Sequence, residues 1–94
     1  MDLNELAREQ WEWVESVGWH NKTPLEVLAL IASEVGEAVN ECRGDGPTSL
    51  FQYELADVIL RTLDLAYDMD IDIEQALLDK VKLNHERGTR GRVK

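Results

Sequence analysis

Residues 50 to 69 read LFQYELADVILRTLDLAYDM, and a helix built from them is apolar on nearly every side. Such a helix needs several neighbours to shield it. The segment therefore predicts the central helix of an all-α four-helix bundle whose core is completed by a second subunit. One polar stripe interrupts it, formed by Glu54, Asp57, Arg61, Asp64 and Asp68 at steps of three and four. At 100° per residue, Glu54 and Asp57 point the same way.

Working outward, residues 24 to 42, PLEVLALIASEVGEAVNEC, predict the preceding helix. Thr23 suits its N-cap and Pro24 its first turn, and Leu28, Ile31, Val35, Ala38 and Cys42 mark an inward face. Glu34 and Glu37 share a direction, as Glu54 and Asp57 do. Gly36 between them costs about 1 kcal/mol relative to Ala in a helix interior, which predicts close approach by a neighbouring helix or ligand. Residues 3 to 17, LNELAREQWEWVESV, predict a first helix stopped by Gly18, with Leu3, Leu6, Trp13 and Val17 turned inward. RGDGPTS, residues 43 to 49, is a turn by composition, so the third helix is expected over Ser49 to Met69. Asp70 or Asp72 is expected to cap a fourth helix over residues 73 to 87, with Ile73, Ala76, Leu77 and Val81 inward, before the basic tail GTRGRVK.

The chain has 94 residues, 10 Lys and Arg, 19 Asp and Glu, and a formal net charge of -9. Its length predicts one domain, residues 1 to 94, burying only about 60 to 65% of its unfolded surface. The acidity argues against a nucleic acid polymer or an anionic membrane as partner. It is compatible with cations. The single cysteine, Cys42, has no intrachain disulfide partner, and no run approaches a transmembrane span. A soluble, cytoplasmic protein is the expectation.

Two acidic pairs on neighbouring helices can face each other. Carboxylates that converge in a partly shielded space repel one another and lose hydration, and a divalent cation relieves both costs. An all-oxygen donor set without Cys or paired His favours Mg²⁺, with Mn²⁺ as substitute, over Zn²⁺. Lys80, Asn84 and Arg87 lie on one stripe of the fourth helix, at steps that let them meet a polyphosphate together.

Glu34-x-x-Glu37, sixteen intervening residues, then Glu54-x-x-Asp57 resembles the acidic signature of the all-α nucleoside triphosphate pyrophosphohydrolases, the MazG-like and dimeric dUTPase superfamily. TPLEVLALIASEVGEA, residues 23 to 38, is similar to the segment that leads into that family's first acidic pair. Lys80-x-x-x-Asn84-x-x-Arg87 with the basic tail resembles its C-terminal phosphate-side motif. Together these parts cover most of residues 19 to 94.

The resemblance implies a MazG-like fold and Mg²⁺-dependent conversion of an NTP or dNTP to the monophosphate and pyrophosphate by a homodimer or higher homo-oligomer. It implies Glu34, Glu37, Glu54 and Asp57 as metal ligands, with Glu34 and Glu37 also catalytic, and Lys80, Asn84 and Arg87 on the phosphates. Ser33 stands where many members carry a further glutamate that activates water, so the base falls to Glu37 or to water activated by the metal. Arg61 either bridges carboxylates or touches phosphate, the first being favoured. Trp19 or Trp11 is expected to line the base pocket, with His20 an uninvolved loop residue. The alternatives are a related pyrophosphohydrolase acting on phosphoribosyl-ATP or an alarmone, and a non-enzymatic acidic helical adaptor for a basic partner.

Overall fold

The computed structural model describes residues 1 to 88, which form four α-helices: α1, Leu3–Ser16; α2, Pro24–Glu41; α3, Phe51–Asp68; and α4, Ile73–Arg87. There is no strand among the described residues, and none of their helices is long and apolar enough to cross a membrane. The expected basic tail, residues 89 to 94, lies outside the described residues.

Local chemistry sets each boundary. The Asp2 carboxylate accepts the backbone N–H groups of Asn4 and Glu5 at the start of α1. At its end Gly18 takes φ +73°, its N–H bonds Glu15 O at 3.0 Å, and Trp19 N–H bonds Val14 O at 3.1 Å. This pair of bonds around a left-handed residue is the Schellman closure, and it turns Trp19 and His20 back along the helix. α2 opens on a full capping box, in which Thr23 and Glu26 bond each other's backbone, with Pro24 in the first turn. α3 starts at Phe51, two residues later than expected, because Thr48 Oγ1 accepts the Leu50 N–H at 3.2 Å and holds that turn outside the helix. It closes by the Schellman pattern again, with Asp70 at φ +57° where a glycine is usual. Of the two candidate caps for α4, Asp72 serves, accepting from Gln75 N–H at 3.0 Å.

α3 is central, as its composition predicts. α1 and α2 each lie along it with no close backbone approach to each other, and the backbone of α4 comes close only to α1 and α3. The first turns of α1 and α4 are tied together. Asn4 donates to Asp72 at 2.7 Å and accepts from Glu74 N–H, while Leu3 N–H reaches the Glu74 carboxylate.

The inward faces differ from those read in the sequence. On α1 the shielded stripe is Leu3, Leu6, Ala7, Gln10 and Val14. Trp13 falls at its edge and Val17 beyond the helix end, and both are exposed. α2 is rotated so that Val27, Leu30, Ile31, Glu34 and Ala38 are shielded, leaving Leu28 53% and Val35 47% exposed and Cys42 in solvent. The rotation carries the glutamates toward α3. On α4 only Ile73 of the expected inward set is partly shielded; Ala76, Leu77 and Val81 are exposed, since this helix meets the rest through its first turns.

What one chain encloses is small. Among the described residues the buried apolar ones are Ala7, Ala38, Leu63 and Ala66, and no large side chain is fully enclosed. The radius of gyration is 15.6 Å, against about 12 Å for a compact chain of this length. Apolar surface stays open on all four helices.

Candidate functional site

The rotation of α2 and the polar stripe of α3 bring the acidic pairs together. Glu34 from α2 and Glu54 and Asp57 from α3 each offer a carboxylate oxygen, and these oxygens lie within 4.8 Å of one another. Glu37 joins from the next turn of α2. The neighbouring carboxylate of Glu34 first, and then that of Glu54, raise the Glu37 pKa above the usual carboxylate range. Arg61, one turn beyond Asp57, donates Nε–H to Glu34 Oε1 at 3.0 Å. It is the favoured structural bridge between the helices, and it also lines the adjoining cleft.

Glu54 Oε2 decides how the cluster reads. This oxygen is buried and has no hydrogen-bond partner, although an unsatisfied buried acceptor costs about 1 to 3 kcal/mol, more when charged. Three convergent carboxylates with one of their oxygens orphaned form a donor set that a hard divalent cation satisfies. No His or Cys joins this group, so Mg²⁺ or Mn²⁺ fits it better than Zn²⁺.

Beside the cluster lies a cleft of about 540 Å³, where α1 and α2 straddle α3 with their backbones apart. Glu34, Asp57 and Arg61 border one end, Leu30 and Leu65 contribute apolar wall, and Trp13 and Trp19 stand at the mouth in an edge-to-face pair with centroids 5.2 Å apart. His20 and Asp64 also line it. His20 is bracketed by two carboxylates, with Nδ1 at 2.7 Å from Glu15 and Nε2 at 2.8 Å from Asp64. Burial pulls its pKa down, but the hydrogen bonds from Asp64 and Glu15 and the charges of Asp64 and Asp68 outweigh that and raise it on balance.

Of the aromatic residues singled out in the sequence, Trp19 lines the cleft and Trp11 does not. Trp11 instead stacks on the His20 ring at 4.9 Å and donates to Asp68 at 2.9 Å. Lys80, Asn84 and Arg87 are exposed on α4 and border no part of the cleft. A Cβ at Gly36 would meet nothing within 4 Å, so the described residues supply no close approach there. The pairing of His20 with Asp64 was missed in the sequence. Its signal was the continuation of the α3 polar stripe past Arg61 to Asp64 and Asp68.

No protein-family model and no solved structure matches the chain. Among characterised proteins it is similar to the dATP/dGTP diphosphohydrolase of cyanophage S-2L, with 29% identity over 83 residues, covering 88% of this chain and 73% of the relative. That likeness is a hint at the level of family.

Proposed function

We propose that this chain is a MazG-like pyrophosphohydrolase that converts a nucleoside or deoxynucleoside triphosphate to its monophosphate and pyrophosphate with a bound divalent cation, Mg²⁺ or Mn²⁺. The observation that carries this reading is the convergence of Glu34, Glu54 and Asp57, with a buried, unpartnered Glu54 oxygen, at the end of a cleft of nucleotide size. The name of the cyanophage relative supports the reaction class and points to purine deoxynucleotides.

In this reading Glu34, Glu37, Glu54 and Asp57 hold the ion, which when bound neutralises phosphate charge and acidifies water. Water attacks the α-phosphorus, the bond to the bridging oxygen of the β-phosphate breaks, and pyrophosphate leaves. Glu37, beside the close trio, doubles as the carboxylate that takes the proton from that water, and Arg61 holds Glu34 within the cluster. Trp19 borders the base end of the cleft and Trp11 backs it through His20. Lys80, Asn84 and Arg87 carry charge and donors suited to the outer phosphates. Their place on α4, away from this chain's cleft, suits delivery to the site of a second copy in a homodimer, which also covers the apolar faces of α2 and α3.

The test is product analysis after incubation with Mg²⁺ and a panel of NTPs and dNTPs. Equimolar monophosphate and pyrophosphate are expected. Release of orthophosphate with a diphosphate product overturns the reading.

A further inference from the structure

We propose that Asp64, held in place by His20, accepts a hydrogen bond from the exocyclic amino group of a purine seated in the cleft, and so selects amino-bearing purine nucleotides over those without the group. The inference rests on the pyrophosphohydrolase reading for the orientation of the nucleotide, with its phosphates at the carboxylate cluster.

The cleft has a polarity along α3. Asp57 borders the cluster end and Asp64 lies two turns further on, a separation of about 10 Å at 1.5 Å per residue. That span matches the reach from an α-phosphate across a sugar to the far edge of a base. Between the ends the wall is apolar, supplied by Val14, Val27, Leu30, Leu60 and Leu65, and it suits the faces of a flat ring. The volume of about 540 Å³ falls in the range of small-molecule sites, roughly 300 to 1,000 Å³.

Asp64 is the polar group best placed to read an edge. Its side chain is 14% exposed, so little solvent competes for it, yet it borders the cleft. Oδ1 is engaged by His20, while Oδ2 makes no hydrogen bond among the described residues. An ionised carboxylate only accepts, so a ligand must present a donor there. Thymine and hypoxanthine carry a ring N–H flanked by carbonyl oxygen and no amino group, so a carboxylate that accepts that single N–H gains no second donor and faces an oxygen. The exocyclic amino groups of adenine and guanine each present N–H donors to the free oxygen, and in guanine the neighbouring ring N–H is a second donor. Discrimination follows from the mismatch as much as from the match.

His20 is the positioning residue. Glu15 at one ring nitrogen and Asp64 at the other fix its plane, and Trp11 stacks behind it. The imidazole therefore directs one oxygen of Asp64 to itself and leaves the other for the cleft. The remaining polar groups bordering this end, Gln10 and Asp68, add acceptors, and Lys22 stands exposed.

The experiment compares dATP, dGTP and dITP, whose hypoxanthine base lacks any amino group, as substrates of the parent, Asp64→Asn and His20→Gln with Mg²⁺. Alongside it, calorimetric binding of dAMP, dGMP and dIMP to the parent and Asp64→Asn needs no turnover. For the parent, kcat/KM for dITP should be at least about tenfold below that for the better amino purine, as expected for one hydrogen bond to a charged group. Asp64→Asn should narrow the gap to within threefold, and His20→Gln should narrow it with the loss falling on KM more than on kcat. The substrate-side comparison needs no variant, so misfolding of Asp64→Asn does not spare the proposal. Equal use of the three triphosphates by the parent overturns it while leaving pyrophosphate release intact. Absence of hydrolysis with dAMP or dGMP still bound tenfold tighter than dIMP, and that preference lost in Asp64→Asn, upholds the base reader and overturns the proposed reaction. Absence of both hydrolysis and preference overturns both.

Discussion

Arg61 on α3 reaches α2 and donates its Nε–H to Glu34 at 3.0 Å, placing one guanidinium against a group of carboxylates that includes an orphaned buried oxygen. In the metal-free protein this cation offsets part of the repulsion among Glu34, Glu37, Glu54 and Asp57. Arg61→Gln keeps a donor but removes the charge. Its melting temperature without metal should fall, and the rise on adding Mg²⁺ should exceed that of the parent, because ion binding to the folded state then relieves more repulsion. Melting curves with EDTA and with Mg²⁺ check this; equal Mg²⁺ shifts would show that Arg61 does not balance the cluster.

Four helices and two acidic pairs were legible because their signals are local. Thr23, Pro24 and Glu26 form a capping box that names itself in sequence, Gly18 supplies a left-handed stop, and three-residue spacing alone puts each acidic pair on one side of its helix. The rotation of α2 was not legible. Its apolar residues form two bands of equal bulk, Leu28 with Val35 and Val27 with Leu30, and spacing alone does not choose between them; the fold shields the second band and carries Glu34 inward. The contact of His20 with Asp64 joins residues 44 apart, which no periodicity reveals. The bounds of α4 were legible but its inward face was not, because an amphipathic pattern tells that a face is covered without telling by what, and within one chain most of that face stays open.

His20 provides a pH signature. Burial lowers its pKa, yet the carboxylates of Asp64, Glu15 and Asp68 raise it above the ordinary value on balance. A group whose pKa is higher folded than unfolded contributes its full stabilisation below the unfolded value, about 6.5, and loses it as pH rises through the folded value. Denaturant unfolding of the parent and His20→Gln at pH 6 and pH 9 isolates this group from the others that titrate. The parent should exceed the variant in stability at pH 6, and the margin should shrink at pH 9. A margin independent of pH would show that folding does not shift the His20 pKa, and a margin that grows toward pH 9 would show that the folded imidazole is held neutral.

Gly36 faces open space in one chain. With no steric obstacle, Gly36→Ala should stabilise by about 0.5 to 1 kcal/mol through helix propensity, a gain of a few degrees in melting temperature for a domain of this size, at roughly 4 to 8 °C per kcal/mol. A lowered melting temperature would show that a partner chain approaches α2 closely at this position.

The open apolar surface predicts association. Leu28, Val35 and Val39 on α2 and Leu55 and Ile59 on α3 are all about half exposed, and a chain that buries only small residues fully has little core of its own. Light scattering at micromolar concentration should return at least a dimer mass. A monomer that melts cooperatively would show that the four helices suffice alone.

Glu54 and Glu41 separate the roles of the acidic residues. Glu54→Gln removes a charge from the cluster at nearly constant shape, and the new amide N–H can donate to Glu34 or Asp57, within 4.8 Å of the present carboxylate oxygen. The metal-free protein should therefore become more stable. The same change deletes an anionic ligand, so the Mg²⁺-induced rise in melting temperature should shrink, and turnover should drop by about a hundredfold or more, the equivalent of about 2.7 kcal/mol of lost transition-state stabilisation. Stability and activity move in opposite directions, which a merely misfolded variant cannot do. Glu41 lies on the same side of α2 beyond the cluster, where its carboxylate accepts from the Thr48 hydroxyl and its carbonyl from the Thr48 N–H at 2.9 Å. A glutamine there keeps an acceptor for Thr48, so Glu41→Gln should leave turnover within a few-fold of the parent. Initial rates and melting curves with and without Mg²⁺ decide the matter: full activity in Glu54→Gln, or its loss in Glu41→Gln, would place the metal on other carboxylates than Glu34, Glu54 and Asp57.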